Sequence, residues 1–229
     1  MTSRGVAVVT GPSRGIGRAT ATLLAKRGLD VALLGRPSVG LDGAARDVEA
    51  AGGRALVVPC DVVDEQLVAS AAERVSATLG VPDVVVNNAG IVKRRSIEET
   101  TPRDWDEVFA VNLRGAFLVT RAFLPRMRER NAGRFVFVSS ISATLGSAGN
   151  AAYAASKWGL SGFAKSLAEE LRGSPLISCA ILPGSVDTEM LMGSGFAPAM
   201  SAEDVAGTIA YLALDAPASM NGSLVESFG

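Results

Sequence analysis

A serine, a tyrosine and a lysine stand close together in the stretch Ser139 to Lys157, SSISATLGSAGNAAYAASK. Ser140 precedes Tyr153 by thirteen residues and Lys157 follows it by four. The alanine-rich second half reads as the start of a helix, so Tyr153 and Lys157 fall one above the other on one face. A free phenol titrates near ~10, and an ammonium held close favours the phenolate and lowers that value toward neutral pH. Tyr153 can then give a proton to a carbonyl oxygen or take one from an alcohol. Ser140 follows the apolar run RFVFVS, where a strand delivers its hydroxyl to the same spot as a partner for the substrate oxygen. For an isolated Tyr-x-x-x-Lys the plainer account prevails, a buried tyrosine beside a snorkelling lysine on an amphipathic helix. The rest of the chain has to decide between the two.

Short β-branched runs alternate with helical patterns throughout: VAVVT (6–10) then 14–27, VALL (31–34) then 39–51, ALVVP (55–59) then 64–79. DVVVN (83–87) precedes a long helix, RFVFVS (134–139) precedes 150–171, LISCAIL (176–182) precedes 202–214, and SLVES (223–227) forms a last strand. The apolar runs are continuous, as in strands buried on both faces. The alternation predicts an α/β fold with a Rossmann-type doubly wound parallel sheet of about seven strands, order 3-2-1-4-5-6-7. With 229 residues, 48% hydrophobic and 20% charged, the chain suits a single domain over 1–229 with a sizeable core.

A net charge of -1 offers no attraction to nucleic acid or an anionic membrane. There are no histidines, and the two cysteines, Cys60 and Cys179, lie in different segments. A zinc site or disulfide framework is not expected, which leaves Tyr, Lys, Asp and Glu for acid-base work. The opening Met-Thr-Ser-Arg leads into an apolar run too short for a secretory leader. No stretch approaches the ~20 apolar residues of a membrane span, so a reduced cytoplasm is the expected compartment.

The first strand ends in Thr10-Gly11-Pro12-Ser13-Arg14-Gly15-Ile16-Gly17. Glycines between a strand and a helix let the backbone turn tightly and let a pyrophosphate approach the helix amides. The spacing G-x-x-x-G-x-G resembles the T-G-x-x-x-G-x-G of the short-chain dehydrogenase/reductase family. The resemblance implies that Gly11, Ser13, Arg14, Gly15, Ile16 and Gly17 hold a dinucleotide, although Pro12 has no amide to contribute. At the end of the second strand Gly35 stands where NAD enzymes carry an acid for the ribose 2′-hydroxyl, leaving Arg36, with Arg14, to grip a 2′-phosphate. NADP(H) is therefore expected over NAD(H); the alternative is that both arginines are solvated surface charges.

Further signatures follow in the family's order. Asp61-Val62 after the third strand resembles the pair that meets the adenine, although Asp61 can equally be the N-cap of the following turn. Asn87-Asn88-Ala89-Gly90 resembles N-N-A-G, implying contact of Asn88, Ala89 and Gly90 with the cofactor ribose, while the asparagines tie neighbouring strands. Lys93-Arg94-Arg95 is a basic cluster that suits an acidic or carrier-bound acyl substrate, or simply a solvated loop. Thr101-Pro102 starts the long helix. Within it, Asn112 in V-N-L resembles the residue that bends the helix and holds a water linking the lysine to solvent. Asn112, Ser140, Tyr153 and Lys157 form the catalytic tetrad by resemblance. Pro183-Gly184-Ser185-Val186-Asp187-Thr188 resembles P-G-x-V-x-T, which places Pro183, Gly184, Val186 and Thr188 at the nicotinamide.

Residues 189–200, EMLMGSGFAPAM, read as a mobile lid, and Ser201 to Asp204 as a capping box. The lid is short, and the C-terminus ends in VESFG without the D-G-G common in relatives. The small residues of the helix after Asn150 suit a homodimer or homotetramer interface, or close packing on the chain's own sheet. The expected reaction is reduction of a ketone or 3-oxoacyl carbonyl to a secondary alcohol with NADP(H). The alternatives are an NAD-dependent secondary-alcohol dehydrogenase and a non-catalytic NADP(H)-binding regulator.

Overall fold

Val6–Thr10 (β1) is apolar on both faces and wholly buried, which fixes it as a central strand. In the computed structural model, which describes residues 4–229, it pairs in parallel with Asp30–Gly35 (β2) on one side and Val84–Asn87 (β4) on the other. Ala55–Pro59 (β3) extends the β2 side, and Arg134–Val138 (β5), Ile177–Pro183 (β6) and Leu224–Ser227 (β7) extend the β4 side. The seven-stranded order is β3-β2-β1-β4-β5-β6-β7, as the alternation of runs predicts; residues 1–3 of the expected domain, including most of Met-Thr-Ser-Arg, lie outside the described residues. The strand order reverses between β1 and β4, and ligands of such sheets bind in the crevice at that point, beyond the carboxyl ends of the strands.

The helices are Gly15–Lys26 (α1), Val39–Ala50 (α2), Glu65–Thr78 (α3), Pro102–Phe109 (α4), Gly115–Arg130 (α5), Ala151–Glu170 (α6) and Ala202–Ala210 (α7). They cover two apolar cores, one on each sheet face. Phe123, Phe135 and Phe137 are among the largest fully buried side chains, each stabilising the fold by roughly 1.5–3 kcal/mol through burial. Thr101 and Ser201 cap α4 and α7 in complete capping boxes with Asp104 and Asp204. Asp64 caps α3, accepting from the Gln66 and Leu67 amides, and Asp61 caps the turn that precedes it, its carboxylate accepting from the Val63 amide at 3.3 Å.

Two departures from the sequence reading concern the long helix. It is split by a π-helical turn, Ala110–Arg114, which joins α4 to α5 and carries Asn112. The whole run Pro102–Arg130 is also long and apolar enough to cross a membrane, contrary to the expectation that no stretch comes near a span. Its Val108, Val119, Phe123 and Met127 fill the core, which accounts for its apolar composition. A second π turn, Tyr211–Asp215, follows α7. It was not foreseen.

Candidate active site

The loops after β1, β4, β5 and β6 open on the same edge of the sheet, and they carry the residues of interest. After β1, Gly11 and Gly15 have positive φ (63° and 52°), a backbone that favours glycine. A Cβ on Gly11 would stand 3.0 Å from the Ala89 Cα, and one on Gly17 would clash with Asn88 Nδ2 and the Gly11 carbonyl. Asn88 Nδ2 donates to the Thr10 and Gly11 carbonyls at 2.9 and 3.1 Å, tying β4 to the glycine loop as the asparagine pair suggests. The amides of Asn88 and Ala89 both donate to Thr10 Oγ1 at 3.0 Å. The result is a bare-backbone cradle at the start of α1, which fits a pyrophosphate. Thr188 closes it from β6, its Cγ2 3.1 Å from where a Gly15 Cβ would be. Val62, expected at the adenine, is buried and packs against Gly115, where a Cβ would stand 2.8 Å from its Cγ2.

Around the second strand, Gly35 lies beside Pro12 and Ser13, and Arg36 is exposed and has no partner among the described residues. Arg14 is different. It is paired with Glu189 of the lid, so it is not the free phosphate ligand expected of it. Cys60 is buried, which pushes its thiol up to about 11 and leaves it unreactive.

Ser140 follows β5 and caps a short 3-10 turn, accepting from the Ser142 amide at 3.1 Å. Tyr153 and Lys157 lie on successive turns of α6, as the spacing requires. Lys157 is 3% exposed; its Nζ donates to the Val138 carbonyl at 2.8 Å and sits 5.7 Å from the Tyr153 ring centroid. Burial pushes the Lys157 ammonium down to about 8. The Tyr153 phenol moves the opposite way from expectation. Burial raises its pKa, and the opposing influences are hydrogen bonding to Ser140 and the positive charge of Arg94. Lys157 faces the ring and is committed to Val138, which is why the anticipated lowering by the lysine does not prevail.

Asn112 is 1% exposed in its π turn. Its Oδ1 accepts from the Ile91 amide at 2.8 Å, and its Nδ2 donates to the Ile91 carbonyl at 2.9 Å and to Ser156 Oγ at 3.0 Å. A Cβ on Gly90 would lie 3.4 Å from Asn112 Oδ1 and 3.5 Å from Lys157 Nζ, so these two groups flank the Gly90 backbone. Sequence reasoning missed several supporting residues. Ser139 Oγ donates to the Lys157 carbonyl at 3.0 Å and contacts Ser161 Oγ at 3.0 Å, pinning α6 to β5. Ser156 donates to the Tyr153 carbonyl at 2.7 Å. The basic cluster divides: Lys93 bonds Asp104 and Glu107 at 2.9 and 2.5 Å, Arg95 pairs with Asp104, and Arg94 reaches the lid.

Residues 5–196 match the model of the short chain dehydrogenase family. The chain belongs to that family. Short-chain dehydrogenases are oxidoreductases of the carbonyl/alcohol pair that use a nicotinamide cofactor. Among relatives, the chain is 35% identical to a 3-oxoacyl-[acyl-carrier-protein] reductase of Synechocystis sp. (strain ATCC 27184 / PCC 6803 / Kazusa), covering 92% of this chain and 89% of that protein. It is 37% identical to the cis-4-hydroxycyclohexanecarboxylate dehydrogenase of Sinomonas cyclohexanicum, covering 98% and 95%. The crystal structure of levodione reductase superposes with a TM-score of 0.91 at 28% identity, over 97% of this chain and 95% of that one. In this short-chain dehydrogenase the stretch expected to form a lid holds one 3-10 turn, Glu189–Leu191, and a bridge between Val186 and Met200 joins its two ends.

Proposed function

We propose that this short-chain dehydrogenase is an NADP(H)-dependent reductase that turns a ketone into a secondary alcohol. The observation that carries the reading is the meeting of Ser140, the Tyr153 phenol and the Lys157 ammonium beyond the ends of β5 and β6, beside a cradle that fits a dinucleotide. The nicotinamide, when bound, supplies the hydride. Gly11, Gly15 and Gly17 accept the pyrophosphate, Val62 lines the adenine, and Thr188 with Val186 borders the nicotinamide end. Ser140 orients the substrate oxygen. Tyr153, whose raised pKa keeps it protonated at neutral pH, gives that oxygen its proton. Lys157 presents its charge to the ring and positions the cofactor ribose. Asn112 holds the Ile91 backbone and Ser156, and so fixes the floor beneath both.

The relatives' names support a secondary carbonyl or alcohol as the reacting group: a 3-oxoacyl chain in one, a hydroxylated ring acid in another. Oxidation of a secondary alcohol with NAD is the second reading, favoured by the engagement of Arg14 with Glu189, which weakens the 2′-phosphate site. Exposed Trp105, Phe117 and Trp158 on α4, α5 and α6 support assembly into a homodimer or homotetramer, and Gly162 on α6 has open space beside it; Gly159, by contrast, is filled by Leu113 of the same chain. A cytoplasmic location agrees with two unpaired, buried cysteines.

The test is a panel of β-keto esters, diketones and aldehydes with NADPH and NADH, with Tyr153→Phe as control. Turnover that falls at least about a thousandfold in Tyr153→Phe is expected. No turnover, or turnover indifferent to that change, favours a protein that binds the cofactor without using it.

A further inference from the structure

Arg94 differs from the two basic residues beside it. Lys93 and Arg95 are matched by Asp104 and Glu107, whereas no carboxylate among the described residues lies within 4.0 Å of the Arg94 guanidinium. Its two terminal nitrogens reach across the cleft to the lid, Nη2 donating to the Met190 carbonyl at 2.6 Å and Nη1 to the Met192 carbonyl at 3.3 Å. Its Nε is enclosed and has no acceptor. A buried N–H without an acceptor bears the full cost of leaving water. The next residue, Arg95, donates its amide to the Gly149 carbonyl at 2.9 Å, which sets this stretch beside the loop leading into the Tyr153 helix, and the Arg94 charge is one of the influences on the phenol.

These features fit one ligand chemistry. A guanidinium is a planar fork that pairs with a carboxylate through two parallel N–H donors, and each terminal nitrogen of Arg94 keeps a second N–H beyond the one given to a Met carbonyl. The two neighbouring carbonyls satisfy hydrogen bonds but carry no charge, so the guanidinium is free to take an anion as its counter-charge. The lid also offers Met190 and Met192, both exposed, as cover for an apolar frame. We propose that Arg94 is a specificity-determining residue that binds a carboxylate of the substrate beneath the lid, so that keto acids and hydroxy acids with an apolar frame are preferred to their neutral counterparts. This rests on the reductase reading for the reaction itself, but not for the binding.

Two measurements separate the two. First, kcat/KM with NADPH is compared for 4-oxocyclohexanecarboxylate and its methyl ester in the wild type, Arg94→Ala and Arg94→Lys. Second, calorimetry follows binding of unreactive cyclohexanecarboxylate to the wild type and both variants. The acid-to-ester ratio is expected to fall about tenfold or more in Arg94→Ala, the scale of one charge-assisted bond, with part of it restored in Arg94→Lys. The affinity for cyclohexanecarboxylate should fall in parallel. An unchanged ratio together with carboxylate binding indifferent to Arg94 overturns the proposal and leaves Arg94 a tether for the lid, even if ester turnover upholds the reductase reading. Arg94-dependent carboxylate binding with neither ketone reduced keeps the anion site and defeats the reductase reading instead. If Arg94→Ala loses its fold by circular dichroism, Arg94→Lys carries both comparisons.

Discussion

Asn112 and Ile91 exchange two hydrogen bonds across the cleft floor: the Ile91 amide donates to Asn112 Oδ1 at 2.8 Å and Asn112 Nδ2 donates to the Ile91 carbonyl at 2.9 Å. The π turn at Ala110–Arg114 aims the carboxamide inward, where it also holds Ser156. A buried side chain that serves three partners, Ser156 buried and the Ile91 backbone half-buried, cannot be trimmed cheaply, because each is left without its match. Asn112→Ala is expected to lose about 2–4 kcal/mol of stability in urea unfolding at neutral pH. A loss below about 0.5 kcal/mol would mean that water replaces the carboxamide.

Asn112 also illustrates what local pattern can and cannot convey. An asparagine within an apolar helix is visible as an anomaly, and the helix does depart from α geometry there. The strands were legible for a stronger reason: Val84–Val86 and Val6–Val9 are apolar at every position, as strands covered on both faces must be. The partners of charged side chains were not legible. Arg14 pairs with Glu189 at a separation of 175 residues and Arg94 meets Met190 at 96, and nothing local encodes either choice. The titration of Tyr153 was misjudged for a similar reason. Helical spacing puts Lys157 over the ring, but only the packing decides that its ammonium is held by Val138 and that burial governs the phenol.

Gly17 offers a sharp test of the cradle. A Cβ there would run into both Asn88 Nδ2 and the Gly11 carbonyl, the two groups whose hydrogen bond joins β4 to the glycine loop. Neither the backbone carbonyl nor the buried amide has an easy way to yield. Gly17→Ala should therefore cost roughly 1–3 kcal/mol in stability and weaken nucleotide binding at least about tenfold in a fluorescence titration. Unaltered nucleotide affinity would show that the phosphates bind elsewhere.

The buried Lys157 predicts two dependences on pH. Its pKa falls from 10.5 in the open chain to about 8 in the fold. Between those values the unfolded chain binds more protons than the native one, so stability rises with pH across that window. Relative to Lys157→Met, the wild type should gain up to about 3 kcal/mol between pH 8 and 10.5, and the difference should be flat below it. Ketone reduction should decline as pH rises through about 8, as the ammonium facing the Tyr153 ring loses its charge. A reduction profile flat to pH 10 would remove Lys157's charge from the mechanism.

Cofactor choice turns on Arg36 and on whether Glu189 releases Arg14. Arg36 stands exposed after β2, where a 2′-phosphate of the adenosine ribose would need it, while Gly35 beside it leaves no acid to repel that phosphate. Arg14 is the natural second ligand, but the lid carboxylate competes with the phosphate for it. Arg36→Ala should then lower kcat/KM with NADPH by about tenfold or more and affect NADH far less, the loss expected for one arginine-phosphate contact. Glu189→Gln should move the other way, raising NADPH affinity several-fold by freeing Arg14, with the gain largest at low salt. A preference for NADH that Arg36→Ala leaves unchanged would assign the chain to NAD, and an unmoved ratio in Glu189→Gln would show that Arg14 has no part in holding the phosphate.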